Sequence, residues 1–220
     1  MQNNEIADVL LKKLSSGREF RDMEMRAADD DGDEYIVEGY ATTFNDEYLL
    51  YSEPGYRVFE KIDSKAFDGC DMTDVIMQYD HEGRVFACMS NGTLTCKPDD
   101  TGLRVRALLG GTDIGRQLYQ EIKGGYTTKM SFAFRVEEDV REIREDNETG
   151  EITVTRTITK ISKLYDVSAV SLPANPATSI AARTYGEGVI AEVKAERQRA
   201  AEERIAIEKA RARIRIQAGL

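Results

Sequence analysis

At 220 residues and 41% hydrophobic content the chain can bury one substantial core, and its formal net charge of −10 argues against binding nucleic acid by neutralising phosphates. No apolar run approaches the length that spans a bilayer, and the N-terminus lacks the apolar core of a signal peptide, so a cytoplasmic setting without membrane contact is expected. Three cysteines (Cys70, Cys88 and Cys96) with no CxxC spacing, beside a single histidine, cannot complete a common zinc set; free thiols and no metal are expected.

Along the chain, Ile6, Val9, Leu10 and Leu14 fit a short amphipathic helix over Asn4 to Leu14, followed by a solvated acidic linker, Asp29 to Glu34. Strands are expected at about 35–44, 56–62, 74–80, 84–90, 93–97 and 103–109. Asn91-Gly92 reads as a two-residue hairpin turn that sets Cys88 opposite Thr95 and Ala87 opposite Cys96. Thr112 is placed to cap a helix running through Ile114, Leu118 and Ile122 to Gly124-Gly125. The glycine pair before it, Gly110-Gly111, lacks the Lys-Ser/Thr of a phosphate loop. Strands resume at about 127–136, 151–160 and 163–172, with a polar, mobile loop expected from Glu137 to Gly150. Many short strands and few helices point to an α+β fold, mainly an antiparallel β-barrel with peripheral helices and a long C-terminal helical tail. The expected organisation is an N-terminal helical extension over 1–22, a barrel body over 23–186 and a helical interaction tail over 187–220. The tail carries eight Lys/Arg against six Asp/Glu, so the body is acidic and the tail mildly basic. Its Ile and Val residues keep no clean heptad, so no coiled coil is expected.

His81 is the only histidine, and it follows the strand-like run Val75 to Tyr79, with Glu82-Gly83 read as the turn. A strand-end imidazole can reach a substrate and exchange protons near neutral pH. In Thr127 to Val136 the residues alternate: Thr128, Met130, Phe132 and Phe134 form the apolar face, and Lys129, Ser131 and Ala133 the other. Ser131 is therefore expected to point away from the core as a candidate nucleophile needing an adjacent base.

The stretches Tyr35 to Phe44, Val75 to Glu82, Thr127 to Phe134 and Leu164 to Pro176, in that order, resemble the prohead maturation protease family of tailed bacteriophages, from about Met23 to Arg183. The family is held to share its fold with the herpesvirus assembly protease, a β-barrel serine peptidase with peripheral helices. The resemblance implies a serine endopeptidase that cleaves the scaffolding portion of the major capsid protein, and itself, inside assembling procapsids in the host cytoplasm. It implies no cofactor, and leaves open a homo-oligomer. Asp166, an aspartate within an apolar strand, is the candidate third member beside His81 and Ser131, and the family pattern carries an acidic residue there. The herpesvirus relatives use a second histidine, which this chain lacks. Asp80 is a rival, but beside His81 it should point to the opposite side. A Ser131–Lys129 dyad would need a desolvated lysine, which the surrounding residues do not suggest. The alternative from another class is a non-catalytic assembly factor that shares the fold.

Overall fold

The computed structural model describes residues 17–28, 34–171 and 176–217, with side chains of the last stretch described from 182 to 214. The expected helix from Asn4 to Leu14 and all but Glu34 of the acidic linker lie outside these residues.

Four strands open the fold: β1 (Glu19–Ala27), β2 (Ile36–Thr43), β3 (Tyr48–Glu53) and β4 (Tyr56–Ile62). Next come β5 (Ile76–Tyr79), β6 (Glu82–Cys88), β7 (Leu94–Pro98) and β8 (Gly102–Leu108). Helix α1 (Asp113–Lys123) precedes the two longest strands, β9 (Lys129–Glu145) and β10 (Ile152–Val170), and helix α2 (Pro176–Gln217) follows. Thr112 caps α1 as its sequence suggests, its hydroxyl accepting from the Gly115 N–H at 3.1 Å. Leu118, Tyr119 and Ile122 turn the helix's apolar face onto the main core.

All ten strands join one sheet, antiparallel except where β10 runs parallel to β4 and to β5. Eight of them follow the order β6-β5-β10-β9-β1-β2-β8-β7, which would be a barrel if its two ends paired. They do not pair among the described residues. The expected hairpin at Asn91-Gly92 is instead a 3₁₀ turn, Met89–Asn91, followed by Gly92 at φ 76°. Across this seam the Cys88 N–H donates to the Thr93 hydroxyl at 2.9 Å, where a ladder bond would go to a carbonyl. The fold is α+β as expected, but the expected barrel is, among the described residues, an open sheet curled around one core, to which β2, β5, β7, β8, β9 and β10 all contribute. The cysteines are free, and burial pushes the Cys96 thiol up to about 12.

Three other expectations change. The segment expected as a mobile loop is strand as far as Glu145, because its backbone pairs with the first half of β10 whatever its side chains are. The two strands expected at 151–160 and 163–172 are one strand, β10, interrupted by register shifts between Ile158 and Asp166. Residues Glu19 to Asp22, assigned to the N-terminal extension, lie in β1 against β9.

A second apolar core forms where α2 crosses β3, β4 and the first half of β10. Val189, Ile190 and Val193 are buried there against Val58, Ile152 and Val154. The helix comes close because residue 186 is glycine: a Cβ on Gly186 would lie 2.5 Å from Tyr51 side-chain atoms. The first turns beyond residue 187, expected to belong to a separate tail, are therefore packed on the body, and α2 is exposed from Lys194 to Ile214.

Candidate active site

The apolar face of β9 carries Met130, Phe132 and Phe134 into the main core, as the alternation predicts. Its other face is buried too. Ser131 and Ala133 are both 0% exposed, so the serine expected on a solvated face lies in a second interior layer. Phe20 of β1, opposite Ala133, covers that layer with Tyr165.

A β-bulge on β10 decides what meets Ser131. Leu164 pairs with Phe134, but the next partner of β9, Ala133, is met by Asp166 rather than by Tyr165. The extra residue moves Asp166 and Ser168 onto the face that holds Ala133 and Ser131, and returns Val167 and Ala169 to the core. Ser168 then stands directly opposite Ser131 in the ladder.

His81 arrives from the other side of β10. Short strand β5 runs parallel to it, with Ile76 beside Asp166 and Tyr79 beside Ala169. The chain reverses immediately after Tyr79, which pairs with Glu82. The turn expected at Glu82-Gly83 therefore falls on Asp80-His81, at φ 50° and 61°. Two left-handed central residues are the mark of a type I′ hairpin, here built without glycine in either place. The imidazole turns inward, its side chain 0% exposed, and Nδ1 lies 2.5 Å from Asp166 Oδ1. The Phe20 ring meets it edge-on at 4.8 Å.

Asp166 Oδ1 also accepts the Ser168 hydroxyl at 2.7 Å. A carboxylate that accepts from Nδ1 fixes the proton there and leaves Nε2 as the basic nitrogen. The Ser131 Oγ is buried without a hydrogen-bond partner among the described residues, a condition that ordinarily costs about 1–3 kcal/mol. One strand pair thus supplies an orienting carboxylate and a buried hydroxyl, and the adjoining hairpin supplies an imidazole. Acyl transfer calls on these three kinds of group, a hydroxyl to attack, an imidazole to exchange the proton and a carboxylate to hold the imidazole.

The rivals are committed elsewhere. Lys129 Nζ donates to Glu24 at 2.9 Å on the surface. The Asp80 carboxylate accepts from the Ser171 N–H and hydroxyl. Sequence reasoning missed Ser168 and Phe20. Ser168 was within reach, since it lies two residues from Asp166 and shares its face by strand periodicity. Phe20 was not, because β1 is rich in charge and its apolar alternation, Met23 and Met25, runs on the opposite face from Phe20.

A groove of about 480 Å³ opens at the imidazole and carboxylate, walled by Ile76, Gln78, Glu82 and Tyr165, with the Arg18 guanidinium 3.9 Å over the Tyr165 ring. A second cleft, about 580 Å³ and mostly apolar, lies between β1, β3 and α2 and reaches Asp22, the residue opposite Ser131 in the β1–β9 ladder. Among the described residues no three His, Cys, Asp or Glu side chains converge to hold a metal ion, and no helix is long and apolar enough to cross a membrane.

Residues 21–190 match the sequence family described as caudovirus prohead serine protease. No curated protein and no solved structure matches the chain.

Proposed function

The chain belongs to the caudovirus prohead serine protease family, and on that premise we propose that it is the endopeptidase that removes the scaffolding portion of the major capsid protein, and trims itself, within assembling procapsids in the host cytoplasm. Ser131 Oγ attacks the scissile carbonyl and forms the acyl ester. His81 Nε2 takes the hydroxyl proton and passes it to the departing amine. Water then attacks the ester, giving its proton to the same nitrogen, and the acid product leaves as the proton returns to Oγ. Asp166 holds the Nδ1 proton and offsets the imidazolium charge, with Ser168 fixing the carboxylate.

The observation that carries this reading is the 2.5 Å contact between His81 Nδ1 and Asp166 Oδ1. Both partners are buried, and a buried imidazole tied to a carboxylate, on a strand face that also buries the Ser131 hydroxyl without a partner among the described residues, is a costly arrangement for a scaffold alone. Because the His81 side chain and Ser131 are shielded from solvent, the groove has to open before a peptide reaches Oγ. The test is incubation of the purified protein with its cognate capsid protein, followed by mass spectrometry. Defined scaffold fragments, absent with Ser131→Ala, are expected. An intact capsid protein under conditions that mature the procapsid would overturn the assignment.

A further inference from the structure

The turn that presents His81 is strained. Asp80 and His81 are both left-handed without being glycine, at a cost of roughly 1–2 kcal/mol each. Such a turn persists only if its surroundings hold it, and the β5 ladder is only four residues long. Three further bonds hold it, all through Asp80: one to Ala169 in β10 and two to Ser171, the residue directly after that strand. The Asp80 N–H donates to the Ala169 carbonyl at 2.8 Å. Its carboxylate receives the Ser171 N–H on Oδ1 and the Ser171 hydroxyl on Oδ2, each at 3.0 Å. β10 also carries Asp166, five residues earlier. The imidazole and its carboxylate partner are therefore referenced to one strand at two points.

We propose that Asp80 is a positioning residue: its clamp on Ser171 keeps the Asp80-His81 turn in the left-handed conformation that sets His81 against Asp166. The proposal rests on the reading of His81 as the catalytic base. A 2.5 Å contact tolerates little displacement, and a misplacement of about 1 Å in a catalytic group can lower the rate by about 10²-fold. Aspartate suits the position on two grounds, since its short side chain is tolerated in the left-handed region and supplies two acceptors.

The single histidine makes the test direct, because ¹⁵N-histidine labelling gives the spectrum of His81 alone. The unmodified protein should show a low-field Nδ1–H resonance, held by Asp166. Asp80→Ala should lose that resonance and lower kcat about 10–100-fold with KM nearly unchanged. Asp80→Asn, which keeps one strong acceptor and the left-handed preference, should recover most of both. Ser171→Ala, which removes one donor and cannot disturb the turn's own backbone, should fall between them. Retention of the resonance and of kcat in Asp80→Ala overturns the proposal. So does a Ser171→Ala protein identical to the parent in both readings, which also covers an Asp80→Ala protein that fails to fold. If the parent cleaves no capsid protein, the protease reading fails while the resonance still decides whether the clamp holds the imidazole.

Discussion

Strand β10 carries two buried polar clusters, and they are built on opposite rules. Around Arg156 every charge is answered. Both Glu60 oxygens accept from guanidinium groups, from Arg21 at 2.5 and 2.7 Å and from Arg156 at 2.9 Å, and one also accepts the Tyr48 hydroxyl. Arg21 gives its remaining donors to the Phe20 carbonyl and Glu19, and Arg156 gives its own to Glu19 and Asp139. Tyr185 of α2 lies on the Arg156 guanidinium at 4.1 Å. Around Asp166 the carboxylate is answered by His81 and Ser168, and the Ser131 hydroxyl has no hydrogen-bond partner among the described residues. Phe20 stands between the two, its carbonyl on Arg21 and its ring on His81. We read the saturated cluster as structural, and the proposed mechanism draws on the unsaturated one.

The sharpest separation comes from Ser131→Ala. Proteolysis should fall by at least about 10³-fold, while stability stays level or rises by about 1 kcal/mol as an unbonded hydroxyl is removed. A comparable loss of stability, read by urea unfolding, would erase the distinction. Glu60→Ala should do the reverse in kind. It removes the carboxylate that two buried guanidinium groups share, leaving Arg21 with Glu19 and Arg156 with Glu19 and Asp139, and should lower unfolding stability by about 3 kcal/mol; a change under about 1 kcal/mol would show that the network is not load-carrying.

Truncation probes where α2 stops being part of the body. A chain ending at Gly188 loses the buried Val189, Ile190 and Val193 and should lose about 5 kcal/mol, at roughly 1.5 kcal/mol or a little more for each buried side chain. A chain ending at Gln198 should unfold at the parent's urea midpoint and cleave a soluble peptide at the parent's rate. Equal stability of the two truncated proteins would return the whole of 187–220 to the status of a detachable tail.

The smallest effect expected is on acid unfolding. Burial alone would raise the Glu19 carboxyl, but Arg21 and Arg156 outweigh it and hold the group below its ordinary value of 4.5. A carboxyl lowered on folding contributes stability that is complete above pH 4.5 and disappears as pH falls through the lowered value. Glu19→Gln should therefore flatten the acid limb of the stability curve below pH 4.5, and an unchanged limb would remove Glu19 from the account.

Where the sequence carried a local alternation or capping signal, the structure mostly follows it. β2, β4, β7 and β8 lie within a residue or two of expectation, and Thr112 caps α1, because alternation and capping are local effects. His81 could be named because it is the single histidine, Asp166 because it is a carboxylate in an apolar strand, and Ser131 from its place on the polar face of β9 together with that histidine. What could not be read depends on partners distant in the chain. The second half of β9 has no buried face of its own, and β10 alone makes it strand. β1 reads as charged, yet Arg21 is buried because Glu60 and Glu19 wait for it. The burial of Ser131 comes from Phe20 and a bulge, neither visible in the alternation of β9. The seam that keeps the sheet open turns on a 3₁₀ turn where Asn-Gly suggested a tight hairpin.

The central claim is that Ser131, and not its ladder partner Ser168, is the nucleophile activated by His81. Both hydroxyls are buried on one face of the same strand pair, so their chemistry separates them better than their position. A fluorophosphonate that reacts with activated serines, followed by peptide mapping, reads this directly. The account predicts one adduct, on Ser131, lost in His81→Ala and strongly reduced in Asp166→Asn. An adduct on Ser168, or one on Ser131 that forms as fast without His81, would contradict it.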